Sequence, residues 1–371
     1  MLVFFIIIIL VALALQLFSI RNANDHRNIR YECKPSVPSC EPGEEFTVFS
    51  SVSNLGRMPS PVIRIEEHFP YDLNVHESDQ FNIKVLTDTH RIYRSVVVMR
   101  GRQQVRRFLR ASIDKRGEYC FSFADFHAGD FLGFKEFDYK MPNDERIVIY
   151  PRRLADSSFL NAFSSAMDDI ALKKLLLEDP ISVCGYRDYT GREPMRQISW
   201  KQSAVRNSLI VKQFDPVWQQ SVCIALDAQY HGEFTNYYPE QELCFSIART
   251  ICEYLEEKRI GYRLITNAII TSGLSSFSSS GGKGGSFHKI LYALGSAKNG
   301  CVCTVEELMT AVCSGTDRRR TIVFISTRRD ADVDSALART KALTDGQLLT
   351  LYAADLAAAG QGTASEGGAT A

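Results

Sequence analysis

The sequence has no surplus of either charge: 43 Lys+Arg stand against 43 Asp+Glu, a formal net charge of +0 at pH 7. A domain that grips a polyphosphate backbone usually carries a basic excess, so nucleic acid is not expected as a partner. No Cys-x-x-Cys pair occurs among the ten cysteines; Cys301 and Cys303 are too close for it and have no second pair, which removes the usual structural zinc patterns. A disulfide-dense secreted framework does not suit so long a chain. Cys33 and Cys40 are the one pair that an oxidising compartment would link. No paired glycosidase-type carboxylates and no nucleotide fingerprint stand out. In GGKGGS, Lys283 is followed by Gly284 instead of Ser or Thr, and no Gly stands five residues before it, so residues 272–286 read as a solvated loop and not a phosphate cradle.

Residues 1–20 lack any charged side chain. A run of about 20 apolar residues is what a helix needs to cross a bilayer. No basic residue precedes it and Phe18-Ser19-Ile20 is a poor cleavage site, so the expectation is an anchor and not a secretory signal. Arg21, Arg27 and Arg30 follow directly, which places the body in the cytoplasm of a single-pass cell-membrane protein. Residues 21–44, with Pro35, Pro38, Pro42 and Gly43, read as a tether.

Over 45–151 the pattern is short and alternating. Stretches 46–54, 61–69, 94–100, 106–113, 117–123 and 146–150 are rich in β-branched and aromatic residues, which predicts a β-sandwich of immunoglobulin or fibronectin type. Residues 152–180 change to a helical period and form the expected linker. Beyond 216, strands 221–227, 261–266, 321–326 and 347–354 alternate with helices 241–259, 286–295, 304–313 and 331–343. Such alternation predicts a doubly wound α/β domain over 216–355, its parallel sheet covered on both faces. Ligands would collect at the strand ends, after Leu226, Thr266 and Ser326. The tail 356–371 is low in complexity and expected to be disordered.

The densest information lies in 181–215, above all GYRDYTGREPMRQISWKQSAVRNSLIVKQFD at 185–215. Basic and aromatic residues interleave there, opposed by Asp188, Glu193 and Asp215. Such a set stacks on nucleic acid or, as favoured by the neutral overall charge, pairs its Arg forks with carboxylates and carbonyls to lock an irregular segment. The stretch resembles the family called domain of unknown function 58. Arg187, Tyr189, Arg196, Ile198, Trp200, Ser203, Ala204, Leu209, Val211 and Lys212 match its motif. Counting back from Trp200, Glu193 replaces an Asp and Gly191 comes one place early, and Arg206 is displaced by one. Residues 50–70 and 109–137 also look like the family's N-terminal β region, with Gly129, Asp130, Phe131 and Gly133 in its turn.

The resemblance implies a C-terminal domain like von Willebrand factor A and a partner among MoxR-type AAA+ ATPases, hence an α+β multidomain chain that acts as a non-enzymatic adaptor in assembling membrane or envelope complexes. The motif residues Arg187, Tyr189, Glu193, Arg196, Trp200, Arg206 and Lys212 would set its geometry. A working A domain holds Mg²⁺ through Asp-x-Ser-x-Ser and loop oxygens. Here that motif reads Asp227-Ala228-Gln229-Tyr230-His231, and Thr327 is followed by Arg328 and Arg329. Mg²⁺ wants compact oxygen ligands, so a degenerate rim of Asp227, Gln229, His231 and Thr327 without a cofactor is expected. The alternatives are an outward-facing Mg²⁺-dependent adhesion module and a thiol hydrolase. His127 and His231 lie near strand ends, but no Cys-His spacing marks a catalytic pair.

Overall fold

The computed structural model describes residues 2–23, 28–60, 62–78, 83–86, 90–129, 135–154, 159–167, 183–191, 193–214, 222–229, 239–270, 277–281, 287–314, 320–344 and 346–355. They divide into two compact units. The first comprises Met1–Arg152, Ile270–Gly273 and His288–Lys298, and the second the remainder.

The first unit opens with helix α1 (Leu2–Ala23) and continues as β1 (Ile29–Pro35), β2 (Ser39–Cys40), β3 (Phe46–Asn54), β4 (Ile63–Pro70), β5 (Asn74–Ser78), β6 (Ile83–Leu86), β7 (His90–Val97), β8 (Gln104–Ser112), β9 (Gly117–Gly129) and β10 (Glu136–Ile149). Four strands form one sheet in the order β1-β3-β8-β5 and six form another, β2-β10-β9-β4-β7-β6. Alternation decides which side chains meet between them. Val48 and Val52 of β3, Ile63, Ile65 and Phe69 of β4, Leu109 and Ala111 of β8, and Phe126 and Ala128 of β9 share one buried cluster. Strand β1 lies within the stretch read as a tether, because IRYECKP buries only Tyr31 and Cys33 and its charges mask the period.

The helix over Phe287–Ser296, α5 in chain order, packs its C-terminal half on this same unit. A Cβ on Gly295 would stand 2.6 Å from Val148 Cγ1 and 2.9 Å from the Ile149 carbonyl oxygen, so only glycine permits the approach. The helix leaves its last carbonyls without partners inside the helix. Arg116 Nη1 donates to the Leu294 carbonyl at 3.0 Å and to that of Ala297 at 2.5 Å.

The second unit contains α2 (159–167), β11 (Val183–Asp188), α3 (Trp200–Arg206), β12 (Ile210–Phe214), β13 (Val222–Leu226), α4 (Pro239–Glu257), β14 (Tyr262–Thr266), β16 (Phe277–Gly281), α6 (Val305–Cys313), β18 (Thr321–Ser326), α7 (Ala331–Leu343) and β19 (Leu348–Tyr352). The short β15 (Ala268–Ile270) and β17 (Ala297–Cys301) pair in a two-stranded sheet. The main sheet runs β16-β14-β13-β18-β19. Cys223, Ala225, Ile322 and Phe324 pack against Val305, Leu308, Met309, Val312, Val333, Ala336 and Leu337 of α6 and α7. Helix α6 starts with a capping box in which Thr304 and Glu307 satisfy each other's backbone N–H groups.

Two expectations are corrected. Individual strands and helices beyond residue 216 fall near where periodicity put them, but the doubly wound von Willebrand factor A-like sheet does not follow. The sheet is mixed, because β16 pairs antiparallel with β14, and most of α5, expected as one of its covering helices, belongs to the β-rich unit. Among the described residues strand outweighs helix. Second, among the described residues no helix is long and apolar enough to cross a membrane. That finding overturns the anchor expected at 1–20 and the single-pass membrane placement with its cytoplasmic body. Most of the linker over 152–180, the Lys283 loop, the Asp130–Gly133 turn and the tail 356–371 lie outside the described residues.

Candidate functional site

Strand β13 is buried along its whole length and ends at Asp227, which is 0% exposed. A buried carboxylate needs donors, and the ends of the neighbouring strands supply them. Asn267, next after β14, donates from Nδ2 to Asp227 Oδ1 at 2.8 Å. Ser326, the last residue of β18, donates from Oγ to Asp227 Oδ2 at 2.9 Å. The backbone N–H of Gln229 adds a third bond to Oδ1 at 3.1 Å. Burial pushes the Asp227 carboxyl above the usual carboxylate range, while Asn267, Gln229, Ser326 and the Arg328 charge pull the other way.

The surrounding backbone is tied as firmly. Asn267 Oδ1 accepts from Ala228 N at 2.7 Å, and the buried Gln241 of α4 donates to the Ala228 carbonyl at 2.7 Å. Thr327 Oγ1 donates to the Gln229 carbonyl at 3.3 Å. Arg328 N donates to Ser326 Oγ at 3.0 Å, and its guanidinium pairs with Asp330. Of the expected rim, Asp227, Gln229 and Thr327 therefore do converge, through main-chain and side-chain bonds; His231 lies outside the described residues. As a Mg²⁺ cage the set does not fit. Both Asp227 oxygens are taken up by protein donors, Gln229 contributes its backbone, and the Thr327 hydroxyl is spent on a carbonyl. Asn267, Ser326 and Gln241 escaped the sequence reading, although the strand-end rule pointed at the position of Asn267.

The motif segment is a separate small construction. Strands β11 and β12 pair antiparallel, with Arg187 opposite Val211 and Tyr186 opposite Lys212. Helix α3 is held by Ser199 N on the Ile210 carbonyl, 2.8 Å, and by Ile210 N on Ser203 Oγ, 2.9 Å. It ends where Asn207 takes the left-handed conformation with φ 52°. Glu193 clasps the preceding turn: it pairs with Arg187 at 2.8 Å and accepts from Thr190 N at 3.1 Å and Thr190 Oγ1 at 2.8 Å. The Thr190 hydroxyl is the leading cause that brings its carboxyl down to about 2.

Tyr189 N donates to the Leu209 carbonyl at 2.9 Å, while Arg196, Arg206 and Trp200 point outward. Lys212 is half-buried on β12. Trp200 is 61% exposed, Met195 67% and Val205 76%, and Tyr186 and Leu209 are exposed too. Arg187 and Glu193 thus lock the segment, whereas Trp200 does not anchor it.

No protein-family model matches the chain, and no curated protein does. Among solved structures it is similar to a non-cellulosomal cohesin from the hyperthermophilic archaeon Archaeoglobus fulgidus, at 11% identity over 32% of this chain and 91% of that chain, TM-score 0.23. It is also similar to the seventh ScaB type I cohesin from Pseudobacteroides cellulosolvens, at 8% identity over 34% and 96%, TM-score 0.22, and to a PapD-like domain of human CEP192, at 10% over 33% and 86%, TM-score 0.19. Likenesses this slight carry no functional weight.

Proposed function

We propose that this chain is a non-enzymatic protein-binding adaptor that engages its partner through the surface of residues 183–214. The observation that carries the reading is the exposure of Met195, Trp200, Val205, Leu209 and Tyr186 within one short segment whose backbone is hydrogen-bonded in place. Exposed aromatic and apolar groups on an ordered scaffold favour protein contact, and Trp, Tyr and Arg are the side chains that most often dominate binding energy. Arg196, Lys201 and Arg206 are exposed beside them, which directs the surface toward a partner with an acidic rim.

A MoxR-type AAA+ ATPase is the finer identity, and its support is the resemblance of the same segment to the domain of unknown function 58 family. Against a thiol hydrolase, burial pushes the thiols of Cys33, Cys244 and Cys252 far up, opposite to the activation that a nucleophile needs. The test is photo-crosslinking from position 205 in the full chain, with a purified MoxR-type ATPase and with ATP present or absent. A crosslinked product that the unlabelled chain competes away is expected. A chain that crosslinks to no protein from position 205, there or in the native host, overturns the adaptor reading, whereas crosslinks to other proteins alone overturn only the ATPase.

A further inference from the structure

On the first unit, His127 of β9 stands directly opposite Asp138 of β10 in the antiparallel ladder, and Glu136 follows two positions along, opposite Gly129. Alternation puts all three on one face. Ala124, Phe126 and Ala128 of β9 are buried in the core, so His127 is turned away from it; on β10, Glu136 and Asp138 are exposed while Phe137 and Tyr139 lie partly covered between them. His127 Nδ1 is 2.7 Å from Asp138 Oδ1. One ligand atom from each of the three residues lies within 4.8 Å of the others. Ligands at about 2.0–2.2 Å from a tetrahedral zinc ion lie roughly 3.3–3.6 Å apart, so the set must draw in by about an ångström from its 4.8 Å spread, which rotations of the exposed Glu136 and Asp138 side chains supply.

The geometry points to a divalent-metal site of His127, Glu136 and Asp138, suited to Zn²⁺ or a similar first-row ion. One imidazole and two carboxylates select such an ion over Mg²⁺, which prefers an all-oxygen shell. Three protein ligands leave a coordination position open to solvent. The ladder fixes the spacing, since the ligands project from paired strands and not from a loop. The competing cation is Arg64, opposite His127 on β4, whose Nη2 lies 3.5 Å from Glu136 Oε1. Its side chain is half exposed and is free to swing into solvent when a metal takes Glu136. The site shares no residue with the adaptor surface, and it stands or falls independently of that reading.

The test is a Co²⁺ titration of the full chain followed by visible absorption, with Zn²⁺ as competitor. One equivalent should bind with weak d–d bands, without the intense thiolate charge-transfer band that the cysteines would give. His127→Ala and Asp138→Asn should each weaken binding about tenfold or more, and Arg64→Gln should bind at least as tightly as the parent. Glu136→Gln, at an exposed strand position, gives a third ligand variant, and far-UV circular dichroism verifies the fold of each. Absence of saturable binding, a thiolate band, or unchanged affinity in folded His127→Ala overturns the site.

Discussion

Asn267 holds Asp227 from both ends of its amide: Nδ2 donates to the Asp227 carboxylate at 2.8 Å while Oδ1 accepts from Ala228 N at 2.7 Å. With Ser326 on the other carboxylate oxygen, one side chain ties together the ends of β13, β14 and β18. Asp227→Ala leaves buried donors unmatched, and the expected loss is on the order of 3 kcal/mol, read as a lowered urea midpoint. A loss near zero would show that the three strand ends do not depend on the carboxylate.

The same group sets a pH signature. Burial raises its carboxyl in the folded chain above the unfolded value, so the folded state holds the proton more tightly. That contribution is fully present below the unfolded value and declines as pH rises through the raised folded value. The parent should therefore lose stability relative to Asp227→Asn as pH climbs out of the ordinary carboxylate range. Urea midpoints of both chains across that window measure the difference, and parallel curves would contradict the raised value.

Trp200 offers the sharpest separation of binding from folding. At 61% exposure it contributes little to packing, so Trp200→Ala should shift stability by no more than about 0.5 kcal/mol. Partner binding should weaken about tenfold or more, as for a contact centred on an aromatic anchor. Calorimetric melting and a pull-down titration on the same preparation decide between this and a purely structural tryptophan.

How much of this was legible in the sequence depends on which force placed each residue. Hydrophobic period placed β3, β4, β13 and α4, because Val48, Ile65, Ile224 and Ile251 are where burial alone puts them. The strand-end rule located Asp227 and the position of Asn267 but not the bonds between them, which depend on the register of separate strands. Chemical polarity misled elsewhere. Trp200, expected to set the geometry of its segment, is exposed, whereas the charged Arg107 and Glu67 are buried, on the inward phase of β8 and β4 with Leu109 and Ile65. Nothing local in the α5 sequence shows which unit the helix serves; only the closeness at Gly295 does.

That buried pair gives the fourth test. Arg107 Nη2 lies 3.2 Å from Glu67 Oε2 and donates to Ser50 Oγ at 3.0 Å, Arg107 Nη1 donates to Ser95 Oγ, and Tyr31 and Ser50 donate to Glu67. Removing one partner strands a charge in the sandwich core, so Arg107→Met should cost about 3–5 kcal/mol. Adding Glu67→Gln should cost less than the two changes summed, with a coupling of about 1–3 kcal/mol in a double-mutant cycle. Additive losses would mean that the two charges do not interact.

Gly295→Ala sets helix propensity against packing. In an isolated helix, alanine would gain about 1 kcal/mol over glycine. Here the new methyl would stand 2.6 Å from Val148 Cγ1 and 2.9 Å from the Ile149 carbonyl, and neither is the loose end of a flexible side chain. Either α5 lifts from β10 or the strand shifts, and the bonds from Arg116 to the Leu294 and Ala297 carbonyls stretch with it. Overpacking of this kind costs about 1–3 kcal/mol, so the net change should be destabilising despite the propensity gain. A melting temperature above that of the parent would mean that α5 does not rest against β10.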